Sequence, residues 1–219
     1  MRPDLDQAMA VFERARAYAA ASAQLTTEVA WQRAASPDRF TETDLLREAA
    51  WVILCSGFRE AVVRWAFGHI SLCFCDWESA SAIVEAAAVC VLAARSAFNN
   101  PQKLTAIVRV ARCVNTETFA VLKRRILEQP AAELRRFPFI GDVTVWHLAK
   151  NLGCDVAKPD RHLVRLAHSF GYPDPHQLCA ALACKSGEPV RVVDLVLWRY
   201  AADRLSPAAQ AGQQLPLRF

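Results

Sequence analysis

Residues 137–166 read FPFIGDVTVWHLAKNLGCDVAKPDRHLVRL, and no other stretch of the chain carries as many local signals. Phe137-Pro138-Phe139-Ile140-Gly141-Asp142 reads as a tight turn between two short helices. The first follows Pro130, which suits a helix start, and covers Ala131 to Arg136. The second runs from about Asp142 to Asn151, with a break at Gly153. A helix that starts from such a turn leaves backbone N–H groups unpaired at its positive end, where a phosphate binds well. Gly141 is read as the residue that permits the turn and lets a nucleic acid backbone come close. An ordinary αα-hairpin is the alternative reading of the same residues.

Asp160 lies 19 positions after Gly141, following Pro159 and opening an apolar helix. That placement is a helix N-cap. It also suits chemistry, because a helix N-terminus stabilises an ionised carboxylate. A carboxylate facing a nucleotide can stabilise a positively charged sugar or activate a water, as glycosidic cleavage requires.

Outward from this stretch the chain is read as all-α, with nine to eleven helices. Leu5, Ala8, Met9, Phe12, Ala15 and Ala19 repeat at helical spacing. Thr41 with Asp44 reads as an acidic capping box ahead of a helix that is apolar nearly all round and ends at Gly57. A buried helix is expected from Ser79 to Ala97, others from Gln102 and from Thr116, and later ones capped by Asp174-Pro175 and opened near Gly187 to Pro189. Trp51, Trp65 and Trp146 are read as core residues before base-stacking ones, and His147 and His162 as structural before pocket donors. Asp194 is read as one half of a local salt bridge. The tail from Ser206 to Phe219 is expected to be poorly ordered.

Composition sets broad limits. The chain has 219 residues, 53% of them hydrophobic and only 7 glycine, with a net charge of +4. This length supports one or two lobes with a real core, and the mild basic balance permits nucleic acid binding without arguing for it. The eight cysteines include no Cys-x-x-Cys pair, and Cys55, Cys90 and Cys113 sit in apolar helical runs. They read as small core residues of a reducing compartment. The longest apolar run, Ala80 to Ala94, is too short to span a bilayer and contains Glu85. Neither a signal peptide nor a membrane association is expected, and a cytoplasmic location is.

The segment resembles the helix-hairpin-helix DNA glycosylases of the endonuclease III superfamily. Their pattern runs Leu-Pro-Gly-x-Gly, a helix, and then an aspartate about twenty residues on, followed by a polar residue and an apolar helix. This chain gives Phe137-Pro138-Phe139-Ile140-Gly141 and Asp160-Arg161-His162-Leu163-Val164-Arg165. The match covers about 30 residues well, and the order and length of the helices extend the resemblance from about 40 to 200. Leu54-Cys55-Ser56-Gly57-Phe58-Arg59 resembles the family's loop that enters DNA after the base has left, with Phe58 and Arg59 as the wedge. The resemblance implies two helical lobes, 44–152 with the hairpin motif at about 131–152, and 1–43 plus 153–219 with the aspartate. DNA would lie across the cleft between them.

The resemblance further implies a monomer that binds double-stranded DNA, flips out a damaged or modified base and cleaves its N-glycosidic bond. Asp160 would be the catalytic residue. Phe137, Phe139, Ile140, Gly141, Asp142, Val143 and Thr144 would touch DNA, with Arg161 and its neighbours Arg135, Arg136 and Arg165 on phosphates. Carbonyls of Arg135, Phe137 and Ile140 would bind an alkali cation, Na⁺ or K⁺, and no cofactor would be required. Three departures stand out. Phe139 occupies the place of the hairpin's first glycine. Val143 stands where bifunctional members carry a lysine, and valine cannot form a Schiff base. The four-cysteine iron–sulfur pattern is absent, so no cluster is expected. A monofunctional glycosylase follows. Lys150 shares a helix face with Val143 and His147 and is the nucleophile of an alternative glycosylase/lyase reading, against a solvated helix-end lysine. Lys158 is read as meeting phosphate or solvent. The reading from another class is a non-catalytic DNA-binding module that keeps the hairpin alone.

Overall fold

The computed structural model describes residues 3–204. Every regular element among them is helical, and there is no strand. The expected disorder of 206–219 lies outside the described residues. The chain divides into two compact units, Ser36–Gly153 and the pair of segments Met1–Ala35 and Cys154–Phe219. Residues 36–43, grouped from sequence with the outer segments, thus belong with the hairpin unit. Two contacts explain this. The Lys123 ammonium donates to the carbonyls of Asp38 (2.7 Å) and Phe40 (2.8 Å), and Gly153 packs its Cα against the backbone of Ser36 and Pro37.

The unit 36–153 contains α3 (Glu42–Cys55), α4 (Glu60–Cys73), α5 (Ala80–Glu85), α6 (Ala87–Ala94), α7 (Pro101–Glu117), α8 (Phe119–Glu128), α9 (Pro130–Leu134) and α10 (Thr144–Asn151). The capping box at the start of α3 is present, with Thr41 and Asp44 each accepting the other's backbone N–H. α3 and α7 each bury more side chains than any other helix of the unit, among them Leu45, Ile53, Leu104 and Ile107. α7 runs through Thr116 and stops at Thr118, whose φ of 63° breaks the helix. Arg125 and Arg136 both pair with Glu117 and Glu133, tying α7, α8 and α9 together. Arg136 is therefore engaged with carboxylates rather than held open for phosphate.

The single helix expected from Ser79 to Ala97 is two helices, interrupted at Ala86, and its apolar surface is not all covered: Val89 and Leu92 face solvent. With this break the described α-helices number thirteen, against the nine to eleven expected. Trp65, expected in the core, is 83% exposed.

The other unit contains α1 (Leu5–Ala20), α2 (Ala23–Ala34), α11 (Arg161–Ser169), α12 (Pro175–Ser186) and α13 (Val190–Arg204). Phe12, Ala15, Leu163, Leu178, Leu182 and Val193 form the centre of its core. Local caps match the sequence signals: Asp174 accepts from Gln177 N–H ahead of Pro175, and Asp160 caps α11. Gly187 adopts φ 76° and closes α12 rather than opening α13. Arg191 donates to the carbonyls of Gln32 (2.9 Å) and Ala35 (2.8 Å), satisfying acceptors at the end of α2 that lack intrahelical partners. No helix among the described residues is long and apolar enough to cross a membrane.

Candidate functional site

The hairpin loop connects α9 to α10 over residues 135–143. Its backbone kink lies at Phe139, whose φ is +63°. This is the position at which the resemblance leads one to expect glycine, and the left-handed conformation is present with a bulky residue in it. Gly141 does not adopt a left-handed φ, and a Cβ there would meet nothing within 4 Å. The turn therefore depends on Phe139, not on Gly141 as read from sequence. Left-handed backbone costs an ordinary L-residue about 1–2 kcal/mol. Phe139→Gly is accordingly expected to be more stable than Phe139→Ala by about 1 kcal/mol, the reverse of the order in a helix. Urea denaturation of the two variants decides it, and Ala equal to Gly would remove the claim of strain.

Thr144 closes the loop. Its hydroxyl accepts from Gly141 N–H at 2.7 Å and donates to the Phe139 carbonyl at 3.2 Å. The N–H of Gly141 is thus used inside the loop. α10 itself begins at Thr144, two residues later than expected, and has no side-chain cap. Thr144, its first residue, lines an open depression of about 450 Å³ together with Ser56 and Phe139 to Val143. Phe137 and Ile140 are buried, so only their backbones can reach a ligand, whereas Phe139, Asp142 and Val143 are exposed. The Asp142 carboxylate pairs with Arg135 at 3.2 Å. That pair places a cation beside the depression and also a negative charge that an anion must outcompete.

The carbonyls of Arg135 and Ile140 accept no backbone hydrogen bond among the described residues, and that of Phe137 accepts one, from Ile140 N–H at 3.2 Å. These oxygens keep lone pairs of the hard type an alkali cation takes. A cation held there would offset phosphate charge at the loop. No cluster of three or more His, Cys, Asp or Glu side chains suited to a metal occurs among the described residues.

The loop after α3 meets the hairpin. Gly57 adopts φ 76°, Phe58 projects 43% exposed, and Arg59 is exposed at the start of α4. Ser56 lines the same depression as the hairpin. The join is made by Lys103 of α7, 3% exposed, whose ammonium lies 4.8 Å from the Phe139 ring centre and 5.5 Å from that of Phe58 and donates to the Ile53 carbonyl. Burial pushes the Lys103 pKa down. The sequence gives no sign of this role for Lys103, because both loops it touches are remote in the chain. Lys103→Met removes the donor to a buried carbonyl and is expected to cost about 1–3 kcal/mol, read as a lower urea midpoint.

In the other unit, Asp160 stands half-buried at the N-cap of α11. Its Oδ1 accepts from His162 N–H (2.9 Å) and Leu163 N–H (3.1 Å), and Oδ2 takes neither bond. Both cap bonds thus fall on one oxygen. The chain before it is anchored from below: Lys158 N–H donates to Asp194 Oδ1 at 2.7 Å, and Asp160 N–H to the Lys158 carbonyl at 2.8 Å. Asp194 is fully buried. It serves the backbone, a role the salt-bridge reading did not include. The Lys158 ammonium lies 5.9 Å from the Trp198 ring centre. Burial lowers the pKa of His162, against the opposing pull of Asp160, which favours a neutral ring at pH 7. Arg161 and Arg165 are exposed.

No protein-family model, curated protein or solved structure matches this chain.

Lys150 is where the two enzymatic readings part. Exposure falls along its helix face from Val143, which is open, through His147 to Lys150, which is buried at 5% and engaged. It is not the solvated helix-end lysine of the sequence reading.

Proposed function

We propose that the protein is a monofunctional DNA glycosylase: it binds double-stranded DNA through the 135–144 hairpin, flips out a damaged or modified base and hydrolyses its N-glycosidic bond with the help of Asp160. The observation that carries the reading is the half-buried Asp160 carboxylate, whose two cap bonds both fall on Oδ1; the left-handed kink and uncapped helix start of the hairpin, in the other unit, support it. The hairpin supplies N–H groups and a helix dipole for a phosphate. Phe58 and Arg59, on the adjoining loop, fill the gap left in the stack.

In the reaction the bond from C1′ to the base nitrogen breaks, and its electron pair leaves with the base, which takes up a proton. Positive charge then spreads over C1′ and the ring oxygen. The Asp160 carboxylate stabilises that charge electrostatically and orients a water whose oxygen bonds to C1′ while its proton is released. No lysine is needed, and Val143, at the place where bifunctional members carry theirs, cannot form a Schiff base.

The test is a panel of labelled duplexes carrying oxidised purine, alkylated purine, uracil, hydroxymethyluracil or mismatched adenine, each split with and without alkali. Strand breaks that require alkali support the proposal and identify the base. Breaks without alkali favour the lyase. Binding at low salt with no base released from any duplex favours a non-catalytic DNA-binding module, and no affinity for DNA defeats all three.

A further inference from the structure

α4 and α6 leave a large apolar surface uncovered. Trp65 is 83% exposed, Leu72 73%, Leu92 71%, Val89 69% and Val62 50%. The two helices lie antiparallel and side by side. His69 Nε2 is 3.3 Å from Ser96 Oγ, and the Cys75 thiol lies near enough to that of Cys90 to help burial push the Cys90 pKa up, so moving forward along α4 means moving backward along α6. Leu72 falls between these two ties, alongside Val89 and Leu92, and Val62 and Trp65 continue the stripe along α4.

Three properties identify what covers this surface. The first is size. The five side chains expose on the order of 600–700 Å², above the largest apolar patch usual on a monomer and close to the roughly 800 Å² that each partner contributes to a stable interface. The second is spacing. Ala61, Trp65, Gly68 and Leu72 are all exposed and follow one another at intervals of 4, 3 and 4 residues, the alternation of a helix–helix seam. A Cβ at Gly68 would meet nothing within 4 Å, which leaves room for a helix to approach between the tryptophan and the leucine. The third is charge. The stripe contains no excess of either sign: Glu60 and Arg64 pair with one another, and α6 has an exposed Glu85 before it and an exposed Arg95 after it. Anionic lipid or nucleic acid selects for clustered cations, which are missing here. A copy of α6 turned through a two-fold axis places its Arg95 against the first copy's Glu85 and its Glu85 against Arg95.

We infer that this surface binds a second copy of the chain, α4 and α6 of each copy forming a four-helix contact. A two-fold homodimer then replaces the monomer expected from sequence. This inference is independent of the glycosylase reading.

Sedimentation velocity of the full chain across about 1 to 100 μM tests it. The expected result is a mass rising to twice the 24.3 kDa of one chain. Trp65→Glu on α4 and Leu92→Glu on α6 are each expected to hold the mass at one chain, with far-UV circular dichroism unchanged because both side chains already face solvent. A wild-type mass that stays at one chain throughout overturns the inference. So does a dimer that survives both substitutions. A monomer that co-sediments with phosphatidylglycerol vesicles overturns it in favour of a lipid surface.

Discussion

Asp160→Asn is expected to lower single-turnover base release by at least about 10²–10³-fold, the scale on which loss of one preorganised electrostatic group is felt, while leaving the fold and DNA affinity in place. The substitution separates the two duties of the residue. An asparagine oxygen still accepts from His162 and Leu163 N–H, bonds that Oδ1 alone holds in the wild type, and Asn caps helices as well as Asp. What disappears is the negative charge that would face C1′. Asp160→Ala loses the cap as well and is expected to cost about 1 kcal/mol of stability on top of the same catalytic defect. The pair of variants therefore distinguishes a catalytic loss from a folding loss. Removing one negative charge does not weaken attraction to phosphates, so an affinity that fell in Asp160→Asn would speak against the proposed role. Full base release by Asp160→Asn would sink it.

The parts of the fold that were legible in the sequence are those fixed by short-range chemistry. Thr41 and Asp44 form their capping box, and Asp160 and Asp174 cap their helices, because partners three residues apart find each other whatever the rest of the chain does. The left-handed kink at Phe139 was not legible, since a bulky residue is the last expected in that conformation, and the glycine two positions on drew the turn toward itself. Lys103 was illegible for a different reason. A lysine on a helix reads as solvated, and only the arrival of the Ile53 carbonyl, 50 residues away, with the rings of Phe58 and Phe139, turns it inward. Lys150 misled in the same way. The apolar run from Ala80 to Ala94 failed in the opposite direction: its composition signals burial, but composition does not distinguish burial within the chain from burial against another molecule, and Val89 and Leu92 remain uncovered.

Gly153→Ala is expected to be among the most damaging single substitutions in the 36–153 unit, costing about 2–5 kcal/mol of a total that for a typical domain is only about 5–15. Two costs coincide there. The backbone has φ +92°, which L-residues rarely adopt, and a Cβ would stand 2.5 Å from the Ser36 carbonyl carbon and 2.7 Å from the nitrogens of Ser36 and Pro37. Those neighbours are backbone atoms and have no rotamer by which to withdraw. Gly57 provides the control. Its φ of +76° imposes the same kind of strain, but nothing lies within 4 Å of a Cβ, so Gly57→Ala is expected to cost only about 1–2 kcal/mol. The difference between the two urea midpoints measures the close approach by itself, and equal losses would mean that the contact with Ser36 and Pro37 is not made. The approach bears on the hairpin as well as on stability. Gly153 follows the last turn of α10 and donates its N–H to the Lys150 carbonyl at 3.0 Å, so the end of α10 is held against residues 36 and 37 while its other end meets the Phe139 kink. A Cβ at 153 pushes on one end of a helix only eight residues long. The displacement then reaches Thr144, whose hydroxyl closes the loop. Gly153→Ala is accordingly expected to weaken DNA binding even where enough folded protein remains to measure it, whereas Gly57→Ala alters the wedge loop and leaves α10 in place.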